Sequence, residues 1–145
     1  MQIALGGDFR IASPNSSLAI MESRWGLIPD MGGTPSLLEC VAGDQAMKLA
    51  MTSETVDASQ ALSIGLITQV SEIPLQAAKV LAKQLLERSP DTNRVIKHLY
   101  HKIWSVNERN ILAKETLNQI KIIAGKNQRI AVKRELGQSN IEFKL

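Results

Sequence analysis

Aromatic residues are scarce in this chain of 145 residues. Two Trp, two Phe and one Tyr make up 3% of it, so any core must be aliphatic. Cysteine is scarcer still. The single Cys40 excludes an intrachain disulfide and fits a reducing cytoplasm, the expected location. No apolar run approaches the roughly 20 residues that a membrane-spanning helix requires. The opening MQIALGGD (residues 1–8) has no basic segment, so neither a membrane span nor a signal peptide is expected. Zinc-finger spacing, Arg/Lys blocks and the aromatic pattern of RNA-binding sheets are missing, which leaves nucleic acid unsupported as a partner. His98 and His101 have a spacing that can hold a metal on a helix. No third ligand stands near them in sequence, so no metal is expected.

What is present is the composition of a soluble globular domain, 44% hydrophobic and 21% charged. The net charge of +3 hides an asymmetry. Residues 1–72 carry three basic and eight acidic side chains, residues 73–145 fourteen basic and six acidic. A basic half can attract nucleic acid, an acidic membrane or a phosphorylated ligand, or can simply be a solvated helical face.

The two halves also differ in texture. In the first 72 residues, 9–13 and 17–20 read as short strands flanking a turn at PNSS. Thr34 and Pro35 are suited to cap and open a helix over about 35–42 that stops near Gly43. Asp44 caps a helix beginning at Gln45, and Asp57 caps another that Gly65 ends. LITQV (66–70) reads as a strand. From Ile73 onward helices dominate, over 74–88, 90–106, 108–124 and 129–136. In 108–124 the residues Ile111, Leu112, Leu117, Ile120, Ile123 and Ala124 mark one broad apolar face. So few strands make a barely viable sheet, and the chain reads as starting in mid-fold.

The chemistry concentrates in MESRWGLIPDMGGT (residues 21–34). Glu22 is expected at the C-terminal end of a strand, a usual place for active-site groups in α/β folds. The loop then returns through Pro29, Asp30 and a glycine pair that lets backbone approach a ligand closely. Two carboxylates beside Ile20, Met21, Trp25, Leu27 and Ile28 suit acid–base duty. The plainer reading is that Glu22 pairs with Arg24 and Asp30 caps a turn.

Residues 8–34, DFRIASPNSSLAIMESRWGLIPDMGGT, resemble the signature region of the enoyl-CoA hydratase/isomerase (crotonase) family. LLECVAGDQA (37–46), LAMTSETVDASQALSIGLITQV (49–70), SPDTNRVIK (89–97) and NIEFK (140–144) resemble its later segments. The likeness covers essentially all 145 residues, and matches the second half of a typical crotonase. It implies an α/β crotonase-like spiral core (1–72, with the acids) followed by a helical oligomerisation and CoA-contacting region (73–145).

It also implies an enzyme, a lyase or isomerase, that polarises an acyl-CoA thioester carbonyl with two backbone N–H groups and stabilises the enolate. Coenzyme A enters as part of the substrate and no separate cofactor is implied. By the same resemblance Glu22 falls on the family's second catalytic acid. Asp30 resembles the acid of members that isomerise dienoyl-CoA. The first acid of hydratases falls at Gln2, which cannot serve as a base. Trp25, Leu27 and Pro29 are implied as acyl-pocket lining, with Gln2 holding water or an amide contact. Phe143 and Lys144, with Lys126 and Lys133 nearby, are implied to reach a neighbouring subunit's CoA in a homotrimer or dimer of trimers. The family's oxyanion donors would precede Met1, so this chain alone is expected to be nearly inactive. The rival reading is a non-catalytic oligomerisation or CoA-binding remnant.

Overall fold

The computed structural model describes residues 1–105, 108–138 and 141, and side chains at 99, 101–105, 108–115 and 134 are outside the description. It is a helix-rich α/β arrangement. The first helix, α1 (Gln2–Leu5), is one turn long. Strands β1 (Ile11–Ala12) and β2 (Ser17–Leu18) follow, then a 3₁₀ turn, Glu22–Trp25. Next come α2 (Gly33–Leu38), α3 (Gly43–Thr52), β3 (Val56–Asp57), α4 (Ala58–Ser63) and β4 (Gln69–Val70). Four longer helices close the chain: α5 (Pro74–Leu86), α6 (Pro90–Ser105), α7 (Glu108–Ala124) and α8 (Lys126–Glu135). No described helix is long and apolar enough to cross a membrane.

The strands on either side of the PNSS turn do not pair with each other. β1 runs parallel to β4, with Ile11 opposite Gln69, and β2 runs antiparallel to β3, with Ser17 opposite Asp57. Each pairing holds two residues per strand. Sequence alternation marks the strands but not these long-range partners, so their expected lengths exceed the observed ones.

The main core lies within the first 67 residues. Leu5, Ile20, Leu37, Val41, Ala46, Leu49, Val56, Ala58, Ala61, Leu66 and Ile67 form one buried cluster, aliphatic as the scarcity of aromatics requires. Ile20, Leu49 and Leu66 are fully buried, each contributing roughly 1.5–3 kcal/mol of burial energy. The apolar stripe expected on α7 points elsewhere. Leu117, Ile120 and Ile123 are 59%, 61% and 53% exposed, while the polar Gln119 is buried. Ile111 and Leu112 lie among the side chains outside the description.

Three helix starts differ from expectation, and the simplest is α8, which begins at Lys126, three residues before position 129. α2 begins at Gly33 with Gly32 at its N-cap and no side-chain cap, so Thr34 and Pro35 fall inside its first turn. α3 begins at Gly43, which therefore opens a helix and does not end one, and Asp44 sits in its first turn after Ala42.

Candidate active site

Glu22 does not end a strand. It opens the 3₁₀ turn four residues beyond Leu18, and that turn is pinned at Ser23, Arg24 and Gly26. Ser23 Oγ lies 2.5 Å from Oγ of buried Ser53, itself held at φ 51°. Arg24 pairs with Glu135 of α8 at 2.5 Å, so it is not the partner of Glu22. Gly26 closes the turn at φ 67°, and a Cβ there would fall 2.8 Å from Ala131 Cβ. Any side chain would thus force α8 off the turn. Farther on, the Ile28 N–H donates to Gln119 Oε1 of α7 at 3.2 Å. The C-terminal helices thereby buttress the segment that carries the acid.

The partner of Glu22 is Gln2. The Gln2 Nε2 group donates to Glu22 Oε1, and Gln2 Oε1 accepts from the Met31 N–H at 3.1 Å. The other carboxylate oxygen, Glu22 Oε2, is buried and takes no hydrogen bond from a described residue. Glycine at 33 is what makes room for this arrangement. A Cβ there would fall 2.9 Å from Gln2 Cδ and 3.0 Å from Pro29 Cβ. The glycine pair does allow a close approach, and what approaches is the Gln2 side chain. That role and the Met31 N–H were not read from the sequence; the only local signal was the paired glycine.

The structure therefore gathers Gln2, Glu22, buried Pro29, Met31 and Gly33. Asp30 is exposed on the loop between Pro29 and Met31. Trp25 is 39% exposed, and Leu27 lines a cleft of about 590 Å³ against Gly125 and Lys126 at the start of α8. An open cleft of about 890 Å³ is lined by Met1, Leu5, Arg10, Ser13, Leu18 and Met21, the sequence neighbours of Gln2 and Glu22 among them. Phe143 and Lys144 lie outside the described residues. Among the described residues no group of three His, Cys, Asp or Glu is placed to hold a metal. A partly buried carboxylate with one oxygen held and no described partner on the other is suited to acid–base work.

The enoyl-CoA hydratase/isomerase family model matches residues 1–143. Ethylmalonyl-CoA decarboxylase from Pongo abelii is 30% identical over 75% of this chain and 43% of its own length. Carnitinyl-CoA dehydratase from Citrobacter koseri is 30% identical over 68% of this chain and 39% of its own. This chain thus spans less than half the length of these curated relatives. An enoyl-CoA hydratase structure from Mycobacterium avium subsp. paratuberculosis superposes with a TM-score of 0.84 over 99% of this chain and 59% of that one. At 21% identity it speaks for the fold. The match across nearly every residue places the chain in the enoyl-CoA hydratase/isomerase (crotonase) family.

Proposed function

We propose that the chain serves an enoyl-CoA hydratase/isomerase-like reaction on an acyl-CoA thioester, with Glu22 as the group that moves the proton. The observation that carries this reading is the buried Oε2 of Glu22, which has no hydrogen-bond partner among the described residues. The names of two relatives, a decarboxylase and a dehydratase, share one chemical feature. Loss of CO₂ from a malonyl-type thioester and loss of water from a β-hydroxyacyl thioester both develop negative charge at Cα, delocalised onto the thioester oxygen. An acid–base group beside Cα serves either, provided that backbone N–H donors stabilise the enolate oxygen. As proposed, those donors come from outside these 145 residues, and the chain by itself turns over little.

Gln2 stays neutral and cannot act as a base, so the proton is routed through Glu22. Asp30 on the exposed loop is its proposed second group, and Trp25, Leu27 and Pro29 its acyl-side wall. Phe143 and Lys144 are proposed to contact CoA. The exposed apolar residues of α7 offer a face to a neighbouring subunit, and the proposed assembly is a homotrimer or dimer of trimers. The reaction uses no cofactor beyond the CoA carried by the substrate.

Turnover of a panel of acyl-CoA thioesters by the natural protein, with and without Glu22→Gln, tests the reading. The variant is expected to lose about 10²–10⁴-fold in kcat, the range for a general acid–base. Unchanged turnover in Glu22→Gln would remove Glu22 from the chemistry. Binding of CoA thioesters with no turnover by the wild type would favour the non-catalytic alternative.

A further inference from the structure

We propose that Gln2 is a positioning residue for Glu22, holding one carboxylate oxygen and so fixing the plane and direction of the group that moves the proton. This rests on the reading of Glu22 as the acid–base group. The orientation of the Gln2 amide is set from both ends. The Met31 N–H can only donate, so it must face the amide oxygen, and an ionised carboxylate can only accept, so it must face the NH₂ group. A flipped amide would set donor against donor and oxygen against oxygen. The seat is closed around it as well, because Gln2 is 9% exposed and its side chain occupies the space left by the missing Cβ of Gly33.

The consequence for Glu22 is an asymmetric carboxylate. Its Oε1 is engaged by Gln2 and its Oε2 is buried with no described partner. A free carboxylate samples both oxygens and several rotamers. Here one donor fixes the plane of the group and leaves Oε2 as the oxygen without a described hydrogen-bond donor. With its amide committed at both ends, Gln2 acts through Glu22 and does not itself contact the substrate. A glutamate in the same seat would lose the donor whenever ionised and would set two like charges together.

Two measurements on the natural protein test this. The first reads the hydrogen bond without reference to activity, by NMR of the Gln2 side-chain NH₂ group. Its protons are expected to be shifted from those of exposed glutamines and slow to exchange with water, and Glu22→Leu is expected to abolish both signatures. A Gln2 amide that Glu22→Leu leaves unchanged overturns the proposal. This holds even if the wild type turns nothing over, so failure here is distinct from failure of the proposed reaction.

The second measurement is kinetic. Gln2→Leu is expected to lower kcat about 10²-fold, the cost of a misplaced catalytic group, with KM nearly unchanged. A raised KM at constant kcat would instead make Gln2 a substrate contact and overturn the proposal. Gln2→Met covers the case in which Gln2→Leu fails to fold. It keeps the length of the glutamine side chain and removes the donor, so the same fall in kcat at nearly unchanged KM is expected. A Gln2→Met enzyme with the kcat of the wild type overturns the proposal.

Discussion

Glu22 and Arg24 stand two residues apart, yet the fold hands them to different partners. A 3₁₀ turn advances about a third of a circle per residue, so side chains two apart project to different sides. Arg24 reaches Glu135 at the surface, where such a pair contributes little, and Glu22 turns inward to Gln2. Cys40 is a second residue whose surroundings set its chemistry. Burial pushes its thiol above the ordinary range, with nearby Arg10 opposing the shift and Glu39 adding to it. The unfolded chain releases this proton at a lower pH than the folded one. In that window the folded state binds more protons, so stability is complete below the ordinary thiol range and falls as pH rises through the raised value. Urea midpoints at about pH 7 and about pH 10 should therefore diverge more for the wild type than for Cys40→Ala. Equal divergence would show that Cys40 keeps its proton no longer folded than unfolded. The acid at 22 was legible because it follows an apolar run. Its bond to Gln2 was not, since nothing in either residue's neighbourhood specifies a contact twenty positions away.

Among the elements, α4 is the one whose start the sequence states outright. The Asp57 carboxylate accepts from the Gln60 N–H at 2.8 Å, and Gln60 Oε1 accepts from the Asp57 N–H at 3.2 Å, a reciprocal capping box. All of its partners lie within four residues, so local sequence suffices. The cap delivers Ala58 and Ala61 to the core, where they are 2% and 0% exposed. Asp57→Ala is expected to cost about 1 kcal/mol. For a chain of this size that lowers Tm by roughly 2–4 °C, measurable by thermal circular dichroism. No change in Tm would mean that core packing alone fixes the start of α4. The start of α2 is the contrasting case. Thr34 has the chemistry of an N-cap, but the helix begins two residues before the Pro35 start which that cap implies, where Gly33 lies against Gln2 and Pro29. That neighbour arrives from the start of the chain, and tertiary contact overrides the local cap preference. The same holds for the strands, whose brevity follows from partners 38 to 58 residues away.

At the scale of the whole molecule, periodicity shows that a helix has an apolar face but not which polypeptide covers it. Among the described positions of α7 the buried one, Gln119, is spent on the Ile28 backbone, which anchors the acid-bearing segment. Leu117, Ile120 and Ile123 are left more than half exposed along the same helix. In the homotrimer proposed above this face is covered by a neighbouring subunit, and the helices that buttress Glu22 are also the ones that assemble. Sedimentation velocity of the natural protein should then give three times its own chain mass, or six times for a dimer of trimers. Leu117→Glu with Ile120→Glu should shift that mass toward a single chain, since charges placed in an apolar interface go unpaired. Circular dichroism of the double variant should match the wild type, because neither side chain belongs to the chain's own core. A wild type that sediments as a single chain would exclude the trimer. A double variant that loses its helices would show that α7 folds its apolar face inward in solution.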